Sequence, residues 1–297
     1  MEIKVSIICA AFNHESFIRE ALESFLMQKT NFKYEILIND DASTDNTASI
    51  IKEYENRYPD LVKPVYQTVN QYSQGIDIFS KILLPKAKGK YIALCEGDDF
   101  WIDPLKLQKQ FDYLESNPEC TLCIHNAKTV DAKGEFLGNI QKVSQSTLVS
   151  LEDVINGGGN YCATNSIVFP RKLLETLPSC IDFYPIDLIV QMYLASQGET
   201  YYTSDFMSAY RVATSGSWSS AVATNYRKYK QHYNKVETAI RKFDEDTQGK
   251  YHKLVLDLIK ERRKIKPIVV TSKAKIKGII YSKNSWLCSI LKFLQRV

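Results

Sequence analysis

The sequence predicts an α/β protein: a mostly parallel sheet flanked by helices, with a basic helical extension at its C-terminal side. Three observations predict it. Near-continuous apolar runs, KVSIICAA at 4–11, YEILI at 34–38 and YIALC at 91–95, have the pattern of strands covered on both faces. Between them lie segments whose apolar residues recur at helical spacing, so strands and helices alternate as in βαβ units. The 297 residues are 44% hydrophobic and 24% charged, which supports a real core and excludes a disordered, collagen-like or disulfide-stapled chain.

The elements follow in order. After the first strand, Ile18, Leu22, Phe25 and Leu26 share one helical face. YEILI is the second strand. Asp45 is placed to cap the next helix, in which Ile50, Ile51 and Tyr54 recur. Val62–Tyr66 is a weaker third strand, Gly75 opens a helical stretch over 76–84, and Gly89 turns the chain into YIALC. Asp103-Pro104 reads as the start of a helix that stops before Pro118. Thr121–His125 is a strand, 126–150 is loop-like, and the glycines of NGGGN at 156–160 make a turn. Ser166–Phe169 is a short strand, Asp187–Gln197 a helix and Phe206–Val212 the last strand. The predicted division is 1–224 for the sheet domain and 225–297 for the extension.

Charge is unevenly divided. Residues 1–224 hold 19 Lys/Arg against 28 Asp/Glu, and residues 225–297 hold 19 against 6, so an acidic body carries a basic tail within a net charge of +4. No apolar run approaches the ~18 residues a membrane-spanning helix needs. The N-terminus lacks the basic lead of a secretory signal. The seven Cys, several inside apolar runs (Cys9, Cys95), read as buried reduced thiols, which suits a cytoplasmic chain. No G-x-G-x-x-G follows the first strand and no GK[ST] follows NGGGN, which argues against dinucleotide and P-loop chemistry. The basic residues are not interleaved with a nucleic-acid motif, so no nucleic-acid partner is expected.

The chemistry sits at strand ends, where open α/β sheets bind ligands. YEILI runs into Asn39-Asp40-Asp41, and YIALC into Glu96-Gly97-Asp98-Asp99. Acids after buried strands are costly unless a cation or polar ligand meets them. Mg²⁺ takes one or two carboxylates and completes its shell with water and phosphate oxygens. Asp41 and Asp98 are the acids read as functional on this ground, whereas Asp45 and Asp103 read as helix caps.

The segments VSIICAAFNHESFIREALESFLMQ, ILINDDASTDNT, GKYIALCEGDDFWIDPLKLQKQ and YRVATSGSWS resemble a family 2 glycosyltransferase of the bacterial polysaccharide-building kind, over about residues 3–220. The resemblance implies a GT-A fold with a Rossmann-like sheet. It implies an inverting, metal-dependent transferase that uses a nucleotide-sugar donor, most commonly a UDP-sugar, and Mg²⁺ or Mn²⁺. The acceptor would be a glycan or a lipid-linked sugar.

The resemblance also assigns roles. Ala10, Phe12 and Asn13 would line the nucleotide pocket, with Phe12 stacking on the base. Asp41 would bond the nucleobase, with Asp40 structural. Glu96-Gly97-Asp98 matches the DxD motif with Glu in its first place: Asp98 would ligate the metal and Glu96 would meet ribose or metal-bound water. Asp99 would support the site or meet the acceptor. Asp187 in FYPIDLIVQMYLASQG matches the catalytic base, which must accept the acceptor hydroxyl's proton. Asp182 and Asp205 compete for that role. Relatives often read Tyr-Arg-Ile/Val-His where this chain has Tyr210-Arg211-Val212-Ala213, so a usual His is missing. His125 is a candidate substitute, Arg211 a candidate partner of the departing diphosphate, and Trp218 a candidate closure over the sugar. Two alternatives stand beside this reading: a non-catalytic sugar-nucleotide or glycan-binding module, and a nucleotidyltransferase. In 260–297, Lys residues alternate with Trp286, Leu287, Phe293 and other apolar residues. That pattern suits either an anionic membrane surface, making the chain peripheral on the cytoplasmic face, or packing on the domain.

Overall fold

The computed structural model describes residues 2–184, 186–212 and 226–264. Its sheet starts with the three buried runs. β1 (Ile3–Ala11), β2 (Lys33–Asp40), β3 (Val62–Tyr66) and β4 (Tyr91–Leu94) lie side by side in the order β3-β2-β1-β4, all parallel. The helices between them, α1 (Ile18–Leu26) and α2 (Thr47–Arg57), are the crossovers that parallel pairing requires. The N-cap position of α2 is Asn46, one residue after the expected Asp45, whose Oδ1 still accepts from Thr47 N at 2.9 Å. The stretch expected to be helical over 76–84 is a π-helical segment at Ile78–Leu83 that passes into a 3₁₀ turn at Leu84–Lys86.

The other half of the sheet departs from the expectation. β5 (Phe100–Trp101) is a two-residue strand, α3 spans Lys106–Ser116, and β6 runs from Cys120 to Val130. Residues 126–150 are therefore not a loop. They complete β6 and form β7 (Phe136–Ile140) and β8 (Thr147–Val149), which pair antiparallel with β6 and β10. β7 and β8 are largely exposed, so their sequence lacks the apolar run that marks a covered strand. The NGGGN turn is real, with Gly158 at φ 60°, but a capped helix precedes it: α4 (Leu151–Gly157) opens with Ser150 and Asp153 bonding each other's backbone N–H. β9 (Val168–Pro170) runs antiparallel to β4 and β6 and joins the two halves. α5 (Ser179–Phe183) and α6 (Asp187–Gln197) precede β10 (Glu199–Arg211), which starts earlier than predicted and lies parallel to β6.

Two apolar layers cover the sheet. Val5, Ile7 and Cys9 face α1 and α2, where Ile18, Leu22, Phe25 and Tyr54 pack, while Ile8 and Leu94 face the layer that holds α4, α5 and α6. Cys120 and Cys123 lie three apart in β6, a spacing seen in metal and redox motifs. The pairing of β6 with β10 shifts register between Cys120 and Leu122, and both thiols are buried in the same apolar layer as Val5 and Ile7, each of them free. The described Cys residues are all buried free thiols.

The basic extension begins as two helices, α7 (Tyr226–Asp246) and α8 (His252–Lys264). Val236, Ala239, Ile240 and Phe243 of α7, with Val255 and Ile259 of α8, are buried in the same layer as α5 and α6. Asp246 pins the end of α7 to α5, accepting from Cys180 N and Ser179 Oγ, each at 2.8 Å. Among the described residues no helix is long and apolar enough to cross a membrane. Ala213, Trp218 and the apolar–basic stretch after Lys264 lie outside the described residues.

Phe243→Ala tests this docking. The side chain is fully buried, so its truncation should cost about 3–5 kcal/mol of unfolding free energy. Denaturant unfolding measures it, and a loss below about 1 kcal/mol would mean that α7 does not pack as described.

Candidate active site

The site is built where β1, β2 and β4 end. The chain leaves β1 through Phe12 and Asn13, and Asn13 takes a left-handed φ of 54°. Its backbone N–H donates to Ser43 Oγ (2.9 Å), and its side-chain carbonyl accepts from Thr44 N (2.8 Å). The turns after β1 and β2 are thus tied together, and Phe12 is left 43% exposed, an aromatic face open to a planar ligand. Asp40 and Asp41 are both buried. Asp41 is already held: its two oxygens accept from Gln71 N (2.7 Å) and Tyr72 N (3.1 Å). It organises the 70–72 loop beside the pocket, and only its remaining lone pairs could meet a base.

The acid turn after β4 is shaped by its neighbours. Gly97 N–H donates to Ala10 O at 2.9 Å, and a Cβ on Gly97 would lie 2.9 Å from both His14 Nδ1 and Ile18 Cδ1. A side chain at Gly97 would have to displace the ends of His14 and Ile18, so glycine suits the close approach of the turn to β1 and α1. Asp99 points inward. Its oxygens accept from Arg211 N (2.7 Å) and Asn165 Nδ2 (2.9 Å), so it serves as a support rather than as an acceptor ligand. Trp101 fixes the turn's other end by donating from Nε1 to Asn165 O at 2.9 Å. Beneath it, buried Lys106 lies over the Trp101 ring at 4.1 Å and bonds Gln110 Oε1, and burial pushes its ammonium down to about 7.

With Asp99 turned in, Glu96 faces a cavity of about 90 Å³ that Ala10, Glu96, Thr164 and Asp187 line together with Phe79, Leu83 and Val190. Three of the predicted residues, Ala10, Glu96 and Asp187, therefore meet on one cleft. Asp187 opens α6. It is exposed along the cleft and packed by protein elsewhere, and its Oδ2 accepts from Thr164 Oγ1 at 2.7 Å. That enclosure raises its carboxyl above the ordinary range. The Glu96 carboxyl is pushed up to about 8, first by burial and then by the charges of Asp187 and Asp98, and its Oε2 has no hydrogen-bond partner. Asp98 is half-buried and has no ion pair among the described residues.

Other candidates find different roles. Asp182 pairs with Lys81, and Asp205 pairs with Lys109 at 2.7 Å, so neither faces the cleft as a base. His125 is wholly buried within β6, its Nδ1 on Asn126 O at 2.9 Å, and substitutes for nothing at the cleft. Arg211 is engaged by protein groups. Its guanidinium lies between the rings of Phe17 (4.8 Å) and Phe100 (4.9 Å), donates to Asp98 O at 2.5 Å and pairs with Glu20. Sequence reading missed Thr164. Its only signal was its place in the YCATNS segment just before a short strand.

Glu96 and Asp98 suit a divalent ion in a limited sense. Among the described residues no group of three or more His, Cys, Asp or Glu could cage a metal. The unpartnered Glu96 oxygen, and the repulsion that raises its carboxyl, are what a dication relieves. Such an ion would draw its remaining ligands from phosphate and water.

The model of the family described as glycosyl transferase family 2 matches residues 6–177. An uncharacterized protein of Mycobacterium tuberculosis is 38% identical over 226 residues, 76% of this chain and 63% of that protein. The chain thus spans less than two thirds of the mycobacterial relative's length. An Escherichia coli protein named UDP-Glc:alpha-D-GlcNAc-diphosphoundecaprenol beta-1,3-glucosyltransferase is 37% identical over 112 residues, 38% of this chain and 41% of that one. Among solved structures, residues 1–349 of Staphylococcus aureus TarS in complex with UDP superpose with a TM-score of 0.62. That match has 17% identity and covers 89% of this chain and 72% of that one. The likeness establishes the GT-A-type fold.

Glu96→Gln tests the electrostatics. A carboxyl held at about 8 in the fold and near 4.5 in the unfolded chain favours folding less as pH rises between those values. Glu96→Gln should therefore gain stability relative to the wild type as pH rises from 5 to 8, at a slope approaching about 1.4 kcal/mol per pH unit. Metal-free thermal or urea unfolding at both pH values reads the difference. A difference independent of pH would mean that Glu96 ionises normally.

Proposed function

The chain belongs to glycosyl transferase family 2, and from that membership we propose that it is an inverting glycosyltransferase that moves a sugar from a UDP-linked donor to a hydroxyl of a glycan or lipid-linked acceptor in cell-surface polysaccharide synthesis. The observation that carries this reading is the shared cleft of Glu96, Asp187 and Thr164 at the carboxyl ends of parallel strands. The names of the Escherichia coli and Staphylococcus aureus proteins, with their UDP-Glc, diphosphoundecaprenol and UDP, support the donor and acceptor classes.

In this mechanism the donor base lies against Phe12, between the turns that Asn13 and Ser43 tie together, with Ala10 and Asp41 beneath. Asp98, with Glu96 beside it, would hold Mg²⁺ or Mn²⁺, which supplies positive charge to the diphosphate leaving group. Asp187 accepts the acceptor hydroxyl's proton as that oxygen forms its bond to the anomeric carbon. The bond from that carbon to the diphosphate oxygen breaks, and its electron pair leaves with the nucleoside diphosphate. Thr164 donates to Asp187 Oδ2 and so leaves the other oxygen, Oδ1, to take the proton. A carboxyl raised above its ordinary value makes Asp187 a stronger base than an unperturbed aspartate. The transferase unit is 1–224, and 225–297 is a basic extension whose helices α7 and α8 pack on that unit, while the apolar and basic residues after 264 suit a peripheral contact with the cytoplasmic face of the membrane.

The test is a panel of nucleotide-sugar donors scored for release of nucleoside diphosphate with Mg²⁺, with Mn²⁺ and with chelator. Release should require the ion, and Asp98→Ala should abolish it without unfolding the protein. Full turnover in excess chelator would remove the metal from the reading. Binding of donor and metal without release or transfer would identify a non-catalytic module instead.

Asp187→Asn keeps the size and one acceptor oxygen but cannot take a proton. Turnover should fall by about 10²-fold or more, with UDP affinity near wild type. Unchanged turnover would place the base elsewhere.

A further inference from the structure

Two consecutive residues connect the two sides of the cleft. Thr164–Ser166 is a 3₁₀ turn just before β9, and all three residues are buried. On the α6 side, Thr164 Oγ1 donates to Asp187 Oδ2 at 2.7 Å. Asn165 turns its amide the other way and donates from Nδ2 to Asp99 Oδ2, in the acid turn, at 2.9 Å. From the base to the acid turn the connection is therefore two hydrogen bonds and one dipeptide. The dipeptide is itself pinned. Asn165 Nδ2 also donates to Ala209 O at 2.9 Å, and its Oδ1 accepts from Ser208 Oγ at 2.6 Å, both in β10. Its backbone carbonyl accepts from Trp101 Nε1 at 2.9 Å. Ser166 O accepts from Gln110 Nε2 of α3 at 2.9 Å. Gln110 Nε2 also donates to Cys123 O at 3.0 Å, and Lys106 Nζ donates to Gln110 Oε1 at 2.8 Å, which fixes the way that amide faces. From β4, Leu94 N donates to Ile167 O at 3.0 Å. Asn165 is fully buried, so an amide group that lost its partner there would have no water to replace it.

We propose that Asn165 is a positioning residue of the transfer reaction: with Thr164 it sets the separation between the Asp187 carboxylate and the acid turn that carries Asp98. The proposal rests on the transferase reading above and adds to that site a residue that touches neither donor nor acceptor. Transfer with inversion needs the attacking hydroxyl, the anomeric carbon and the leaving oxygen in line. The base and the group that meets the diphosphate must then stand at a fixed separation, and a misplacement of about 1 Å costs about 10²-fold in rate. Asp98 and Asp187 come from different segments, one after β4 and one at the start of α6. Their separation is kept by whatever bridges those segments, and Thr164-Asn165 bonds both. Because the two side chains leave adjacent backbone positions, neither bond can shift without disturbing the other.

The experiment uses the full chain and reads two quantities. The first needs no ligand. Thr164→Val removes the bond to Asp187 and keeps the side chain's shape. Asp99→Asn keeps the acceptor for Arg211 N and sets an amide against the Asn165 amide, which breaks the other bond. Urea midpoints of the two variants and of their combination form a cycle. The combined loss should be smaller than the sum of the single losses, because both bonds share one turn. Additive losses would overturn the proposal. The second quantity is UDP affinity by calorimetry, with Mn²⁺ and with chelator. Asn165→Ala should weaken binding about tenfold or more with Mn²⁺ and leave it unchanged with chelator, since the acid turn is what loses its support. Asn165→Asp combined with Asp99→Asn reverses donor and acceptor in the Asn165–Asp99 bond. The pair should recover most of the Mn²⁺-dependent affinity, and neither change should do so alone. A lower unfolding midpoint with unchanged Mn²⁺-dependent UDP affinity of the folded protein would assign Asn165 to the fold alone and overturn the proposal. If Asn165→Ala does not fold, the cycle and the exchanged pair decide. Failure of the wild type to bind UDP would count against the transferase reading, while the unfolding cycle still decides this one.

Discussion

The site depends on how the chain buries and satisfies one carboxylate, Asp99, at the end of β4. Asp98 and Asp99 are neighbours at the end of a covered strand, where an unpartnered charge is expensive. Asp99 is satisfied from two distant elements, the Arg211 backbone at the end of β10 and the Asn165 side chain just before β9. Asn165 is itself fixed, its carbonyl oxygen accepting from Ser208 Oγ at 2.6 Å and its Nδ2 also donating to Ala209 O at 2.9 Å. This network determines the direction of the whole acid turn. With Asp99 drawn in, Glu96 faces the cleft and the Asp98 carboxylate remains accessible.

Arg211 gives the same turn a second hold. Its backbone serves Asp99, while its guanidinium grips the Asp98 carbonyl between two aromatic rings and reaches Glu20 on α1. A side chain so engaged has little freedom to follow a ligand. The acid turn is therefore braced from β1 and α1 on one side and from β10 on the other. The cavity between Glu96 and Asp187 inherits that rigidity on its β4 wall. Its other wall, α6, is set by the packing of Leu188, Ile189 and Met192, all buried.

Much of this was legible because the parallel half of the sheet writes itself in plain runs. A strand covered on both faces needs consecutive apolar residues, and KVSIICAA, YEILI and YIALC supply them at the expected spacing. Asp98 and Asp187 stand out in the sequence because segments that resemble motifs with chemical roles surround them. The antiparallel half was less legible. Phe136–Ile140 and Thr147–Val149 are exposed edge strands held by backbone pairing, which does not depend on side-chain pattern. Thr164, Asn165 and the true role of Arg211 were not legible for a different reason. Each acts through a contact with a residue 23 or more positions away, the Arg211–Asp99 bond spanning 112. Local spacing carries no trace of such a pairing.

The charge division along the chain also acquires a physical sense. The two carboxyls at the cleft stand in a largely apolar lining, and burial is the first cause that raises both, with the charges of Asp187 and Asp98 adding to it at Glu96. The proposed donor carries a diphosphate, and an ion held by Asp98 would supply the positive charge it needs. The basic part of the chain is held by apolar burial instead: α7 and α8 bury Ile240, Phe243 and Ile259 against the helical layer, so that their cations are carried on a docked helix pair.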